Sequence, residues 1–290
     1  MPFFSIIIPS FNRGHVLTKA IESILLQSSS DFEIIIVDDG SSDNTKEILT
    51  PYLSLPFVRY FYQENKGVSA ARNLGALNAV GNYLVFLDSD DYVEKCWLLD
   101  FYILLKENNF LIGFCNIKTI LPNNKIKLIN ALDPHGTGRS TGGTIPGSWS
   151  IKRELFIQIG MYDEKIKFGE NYELLLRVKK LKIKEGFVLK YNLIYYSSDN
   201  GGSKNNLNKL VSNQYIVEKH KDHFNANKNT KKLFLQIAGM AAIKLGHQKK
   251  ANQLFKGLLS ENKTDLKLWL LYLITLSTFL TQLKWPIDSK

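Results

Sequence analysis

The first residues in this chain that point to chemistry are carboxylates grouped at the ends of apolar runs. Asp88-Ser89-Asp90-Asp91 follows the run Tyr83 to Leu87, and Asp38-Asp39-Gly40-Ser41 follows Glu33 to Val37. Asp88 and Asp90 lie one residue apart just after an extended stretch, so their carboxylates can leave the chain on the same side. Hard oxygen donors in that number suit Mg²⁺ or Mn²⁺ better than zinc, with a substrate phosphate completing the shell. Alone, an Asp-x-Asp carries little weight, because Asp is favoured in turns. A further polar group, Pro9-Ser10-Phe11-Asn12-Arg13, ends the first apolar run. The Asp38 to Asp43 stretch also reads as a tight turn in which Ser42 or Asp43 caps the next helix. Arg72 falls in the first turns of a helix opened by Asn65-Lys66-Gly67-Val68. A guanidinium facing a phosphate and an ordinary surface Arg both fit that position.

These groups need a scaffold that brings them together. From Ser5 to about Ile117, short β-branched runs alternate with amphipathic stretches, which is how a parallel sheet with crossover helices reads. Strands are predicted at Ser5 to Ile8, Glu33 to Val37, Val58 to Tyr62, Tyr83 to Leu87 and Leu111 to Ile117. Helices are predicted at Val16 to Gln27, Thr45 to Leu53, Val68 to Ala79 and Trp97 to Asn108. In such α/β sheets ligands gather at the carboxyl ends of the strands, where all three polar groups fall. Beyond Ile117 the pattern predicts a hairpin around Asn123 and Asn124, then a mobile Gly/Thr/Ser-rich loop from Asp133 to Ser148. An amphipathic segment ends at Gly160. The following helix, GENYELLLRVKKL, is expected to show one face of Leu174, Leu175, Val178 and Leu181. Two short apolar runs, Gly186 to Leu189 and Leu193 to Tyr196, come before a polar break from Ser197 to Asn208, and the remainder reads as helical.

Composition narrows the classes. The chain has 290 residues, 44% hydrophobic and 22% charged, enough for a large core. Two cysteines, Cys96 and Cys115, cannot make a disulfide framework and suit a reducing compartment. The N-terminus lacks a basic segment ahead of its apolar run, so the expectation is a cytoplasmic protein. Lys204 to Lys256 holds eleven lysines against two acids, which accounts for nearly all of the formal +10 charge. That block suits an anionic surface such as the inner face of a membrane, or simply a set of solvated helix faces. Nucleic acid is disfavoured, because the block lacks regularly spaced aromatics. After it, Leu268 to Leu283 is uncharged, but a helix of that length rises only about 24 Å against a hydrocarbon core of roughly 30 Å. Contact with the surface, anchored by Lys267, Lys284 and Trp285, and packing as a buried helix are equally compatible with it. The first apolar run is not followed by Gly-x-Gly-x-x-Gly. No P-loop occurs, and no Cys/His spacing fits zinc.

Taken in order, SIIIPSFNR, IVDDGSSDNT, NKGVSAARNLG, FLDSDD and GENYELLLR resemble the successive motifs of family 2 glycosyltransferases with the GT-A fold, over about Ser5 to Asn200. The resemblance implies a GT-A domain over 1–203 and a basic helical extension over 204–290. It implies that Pro9, Phe11 and Asp39 line a base pocket, with Asp39 reading the uracil edge, and that Arg13 and Asp38 lie close by. Arg72 would approach the diphosphate. Asp90 would hold Mn²⁺ or Mg²⁺ directly, while Asp88 would reach ribose, or the metal through water. The activity implied is inverting transfer from a UDP-sugar to a hydroxyl of a surface or lipid-linked glycan. The helical tail is similar to extensions of bacterial members that work on such acceptors. In the family the catalytic base commonly comes from a Glu-Asp pair six residues before an Arg; here the pair is Glu170-Asn171, before Arg177. An amide cannot take a proton near neutral pH. Glu170 is therefore the expected substitute base, and an idle sugar-nucleotide-binding protein is the alternative. If the lost carboxylate were the only defect, Asn171→Asp would speed transfer.

Overall fold

The computed structural model describes residues 1–131, 145–197 and 205–276. Most of the loop expected over Asp133 to Ser148, much of the polar break and the end of the Leu268 to Leu283 run lie outside the described residues. The chain divides into two compact units, one of residues 1–164 and 170–199, the other of 165–169 and 200–290.

In the first unit, β1 (Phe4–Ser10), β2 (Phe32–Asp38), β3 (Val58–Tyr62) and β4 (Tyr83–Phe86) are parallel. Every residue of β1, β2 and β4 is buried, as expected of strands covered on both faces. The other strands are β5 (Tyr92–Val93), β6 (Ile112–Ile120), β7 (Ile126–Ile129), β8 (Trp149–Lys152) and β9 (Glu185–Tyr196). The sheet runs β3-β2-β1-β4-β8-β6-β9-β5, with β7 paired to β6. Strand β8 is antiparallel to both β4 and β6, whereas β6 and β9 are parallel. The two apolar runs read separately at 186–189 and 193–196 are one strand, β9, whose register against β6 shifts around Asn116.

The pleat sorts side chains to two cores. Phe4, Ile6 and Ile8 face α1 (Gly14–Leu25) and α4 (Trp97–Asn108) through Leu17, Ile21, Leu98 and Phe101. Ile7, Ile35 and Val37 face α3 (Val68–Asn78), α5 (Arg153–Gln158) and α6 (Glu170–Lys180) through Ala71, Ala76, Phe156, Leu174 and Val178. A short α2 (Thr45–Leu49) follows β2. Helix α3 lies very close to the sheet: a Cβ at Gly75 would come 2.5 Å from a methyl of Ile7. On α6 the buried face includes Leu176, while Leu181 is exposed. The helix ends at Lys180, and Lys182 beyond it has φ +52°, so Leu181 leaves the helical repeat.

The second unit contains α7 (Asn206–Lys219), α8 (Lys221–Ala226), α9 (Lys228–Lys244), α10 (Gln248–Glu261) and α11 (Leu266–Thr275). Its core packs Ala238, Ala241 and Ala242 of α9 against Phe255 and Leu258 of α10, with Leu268 and Leu271 of α11. Asp265 caps α11 through Leu268 N–H at 3.0 Å. Lys231 and Lys232 of the basic block pair with Glu261 and Asp265, so part of that charge is offset locally. Helix α11 buries one face and exposes Leu266, Trp269, Leu270 and Leu273 on the other. Among the described residues no helix is long and apolar enough to cross a membrane.

Candidate active site

Because β1, β2 and β4 are parallel and in register, the polar segments that follow them leave the sheet at one edge. Asp39 N–H donates to Ser10 C=O at 2.8 Å and Leu87 N–H to Ile7 C=O at 3.0 Å, carrying the ladder up to each polar group. The grouping of Asp38, Asp39, Asp88 and Asp90 at one edge follows from this register.

The loops after β1 and β2 are sewn to each other. Asn12, in the left-handed region at φ +53°, accepts hydrogen bonds on Oδ1 from Ser42 N–H at 2.8 Å and Asp43 N–H at 3.3 Å. Its own N–H donates to Ser41 Oγ at 2.9 Å. The N-cap of α2 is Asn44 and not Ser42 or Asp43 as the sequence suggested; Asp43, one residue earlier, accepts from Thr45 N–H at 3.0 Å. Asp38 is buried and accepts from Ser41 N–H and Tyr60 O–H, each at 2.8 Å. Burial and then this bond push the Tyr60 phenol well above its usual range, so it remains a donor. Asp39, also buried, accepts from Lys66 N–H and Gly67 N–H at 2.8 Å and from Gln63 Nε2 at 2.6 Å. It thereby fixes the turn that starts α3. Pro9 lies within β1, and Phe11 is 45% exposed beside these loops. A cavity of about 220 Å³ at this end is lined by Asp38, Ser41, Asp43, Lys46, Tyr60 and Tyr62.

The turn after β4 is different in kind. Asp90 lies 3.8 Å from the Arg13 guanidinium. Burial and the charge of Asp88 hold its carboxyl above the ordinary value, against the opposing pull of Arg13. Asp91 is buried; one oxygen accepts Tyr196 N–H at 3.0 Å, and the other has no hydrogen-bond partner among the described residues. Burial, then Asp88 and Asp90, push Asp91 well above the carboxylate range. Three crowded carboxyl groups, one with an orphaned buried oxygen, form an environment that added positive charge would stabilise.

Arg72 is not a surface residue: it is 2% exposed. Its guanidinium donates to Asp88 Oδ1 at 2.7 Å and to Glu170 Oε1 at 3.0 Å. Burial alone would weaken its charge, but Asp88, Tyr162 and Glu170 hold it firmly protonated. One fork thus ties the acidic turn to the first residue of α6. Asn171 follows, buried, with Tyr162 O–H donating to its Oδ1 at 2.7 Å and its own Nδ2 donating to Glu170 Oε1 at 3.2 Å. Glu173 faces elsewhere, as the helical turn requires, and is clamped by Arg177, whose Nη2 lies 2.9 Å away. Arg177 also donates to Ile159 C=O and Met161 C=O. Arg177 and Asn73 fall within sequence motifs, whereas no motif marks Tyr162 or Tyr196. Gly160 and Met161 are both at positive φ just before Tyr162. The glycine signals a turn; the methionine gives no such sign.

A sequence model described as glycosyl transferase family 2 matches residues 5–160. Over 142 residues the chain is 39% identical to an uncharacterized glycosyltransferase of Rickettsia felis, covering 49% of this chain and 23% of that protein. Over 188 residues it is 34% identical to one of Rickettsia typhi, covering 60% of this chain and 57% of that protein. The chain therefore spans less than two thirds of the length of these relatives. S. aureus TarS 1–349 superposes with a TM-score of 0.61 at 17% identity, covering 98% of this chain and 91% of that one.

Proposed function

The chain belongs to glycosyl transferase family 2 and has its GT-A fold, and we propose that it moves a sugar from a UDP-sugar to an acceptor hydroxyl in one inverting displacement. The observation that carries this reading is the buried Arg72 fork, which brings a carboxylate of the acidic turn and the leading carboxylate of α6 to the same guanidinium. S. aureus TarS 1–349 has been solved with UDP-GlcNAc and with UDP, which supports a uridine diphosphate donor here. Pro9, Phe11 and Asp39 are assigned to the base, with Asp38 and Arg13 beside them. A carboxylate offers about four acceptor sites, so holding the turn before α3 leaves Asp39 capacity for a uracil N–H.

The acidic turn fits Mn²⁺ or Mg²⁺ held by Asp90, with Asp88 beside it. Among the described residues no group of three or more such ligands can hold an ion alone, and Mg²⁺ usually combines one or two carboxylates with substrate phosphate. When bound, the ion offsets charge growing on the leaving diphosphate. Glu170 takes the proton of the acceptor hydroxyl as that oxygen attacks the anomeric carbon. Arg72 sets Glu170 and Asp88 at a fixed spacing, and its positive charge sits close to the diphosphate. The acceptor is assigned to surface or lipid-linked glycans. The basic second unit and the exposed apolar face of α11 support a peripheral approach to an anionic membrane.

Release of UDP from a panel of UDP-sugars with Mn²⁺, alongside thermal shifts, tests the reading. Native protein is expected to turn over one donor, and Glu170→Gln to lose about 10²- to 10⁴-fold in kcat. UDP-sugar binding without turnover would favour the second reading, an idle nucleotide-sugar binder, which Asn171 motivates.

A further inference from the structure

Asn171 stands where the family commonly has its base, yet its contacts are those of a residue with a positioning task. We infer that Tyr162 and Asn171 form a hydrogen-bonded relay that aims Glu170 at the acceptor, an inference that rests on Glu170 being the base. The relay begins at Tyr162, whose ring is buried between Phe86 and Phe156, with centroids 5.3 and 5.6 Å away. Its backbone is held from α3: Tyr162 N–H donates to Asn73 Oδ1 at 2.9 Å, and Asn73 Nδ2 donates to Tyr162 C=O at 3.0 Å. From α6, Arg177 grips the two carbonyls at Ile159 and Met161. Tyr162 is thus fixed by the two helices that carry Arg72 and Glu170.

Burial drives the Tyr162 phenol upward, so it stays protonated and donates. That donation determines the amide. With Oδ1 taking the phenol proton at 2.7 Å, Nδ2 is left to face Glu170 Oε1 at 3.2 Å. The flipped amide would set oxygen against a carboxylate oxygen, acceptor against acceptor. Glu170 Oε1 then receives two donors, Asn171 Nδ2 and Arg72 Nη1, which leaves Oε2 to meet the acceptor hydroxyl. An aspartate at 171 would accept from Tyr162 equally well, but it would place a second negative charge against Glu170. The sign expected from sequence is therefore reversed: Asn171→Asp slows transfer.

The test uses the full chain in the UDP-release assay with Tyr162→Phe, Asn171→Leu, Asn171→Asp and Glu170→Gln. The first three are expected to lower kcat per folded molecule on the order of 10- to 100-fold, as misaligned catalytic groups do, with KM for the UDP-sugar near native. A merely structural role would leave kcat per folded molecule unchanged, which overturns the relay. Faster transfer by Asn171→Asp also overturns it. If Glu170→Gln transfers as fast as native, the base assignment fails and the relay with it. If Glu170→Gln is inactive while Tyr162→Phe and Asn171→Leu match native, only the relay fails. ¹⁵N NMR of the ligand-free protein reads the pairing without turnover. The Asn171 side-chain amide protons are expected to exchange slowly in native protein and faster in Tyr162→Phe; rapid exchange in native protein overturns the relay.

Discussion

The loops after β1 and β2 and the acidic turn after β4 share one sheet edge but are built in opposite ways. In the first region the carboxylates of Asp38, Asp39 and Asp43 accept backbone N–H groups. In the second, Asp88, Asp90 and Glu170 are balanced by arginine side chains, and Asp91 keeps an oxygen with no partner among the described residues. Backbone partners stabilise the carboxylate charge in a geometry fixed by the fold, so the first region is ordered before any ligand arrives. Side-chain partners can rearrange, and the crowded carboxyls of the second favour the arrival of positive charge. One edge thus combines a rigid cradle with an electrostatically unfinished centre.

The strongest test of that contrast is Asp90→Ala, which is expected to abolish both turnover and Mn²⁺-dependent UDP binding. Unchanged activity in this variant, or in excess chelator, would remove the metal from the second region. Next comes Arg72→Lys, which keeps the charge and loses the fork that spans Asp88 and Glu170. A fall in kcat on the order of 10²-fold is expected, and native kinetics would mean that charge alone suffices. In the first region, Asp39→Ala should cost about 1.5–3 kcal/mol in urea unfolding, since bonds to a charged acceptor are lost. A variant that weakens UDP binding with native stability would show Asp39 to be a ligand and not a strut.

The smallest effect concerns Asp43. Asp43 is exposed, and the slight desolvation that raises its carboxyl is outweighed by hydrogen bonds from Thr45 and Gly14, which leave it below the ordinary 3.8. A depressed acid stabilises the fold above its unfolded value, and the contribution is lost as pH falls through the folded value. Asp43→Asn should therefore melt slightly below native above about pH 4, with the gap closing in stronger acid. A gap that persists at low pH would show that packing, and not charge, distinguishes the two side chains.

Much of this was legible in the sequence where local pattern dictates structure. β3 and α4 fall where alternation and helical spacing put them, and β1, β2 and β4 follow to within a residue or two. The meeting of the acidic groups followed from parallel strands alone. What escaped depends on contacts distant in sequence. Arg72 pairs with Glu170 across 98 positions, and no periodicity reveals that a helical Arg faces inward. Nothing in the sequence marks Tyr162, because its importance lies in the hydroxyl that meets Asn171. The antiparallel insertion of β8 between β4 and β6 was equally hidden, since a buried strand reads the same in either direction.

The close seat of α3 on the sheet makes a residue with no chemistry a control point for the site. Gly75 lies three positions after Arg72, about 4.5 Å along the helix axis. Ile7, whose methyl a Cβ there would meet at 2.5 Å, is fully buried and cannot retreat far. Any larger side chain must lift the helix, and Arg72 and Asn73 move with it, away from Asp88, Glu170 and the Tyr162 backbone together. A random mutagenesis screen scored on transfer alone would therefore place Gly75 among the chemical residues, although it never meets a substrate. Only a ligand-free measure of side-chain order would separate such an alignment lesion from a lost functional group.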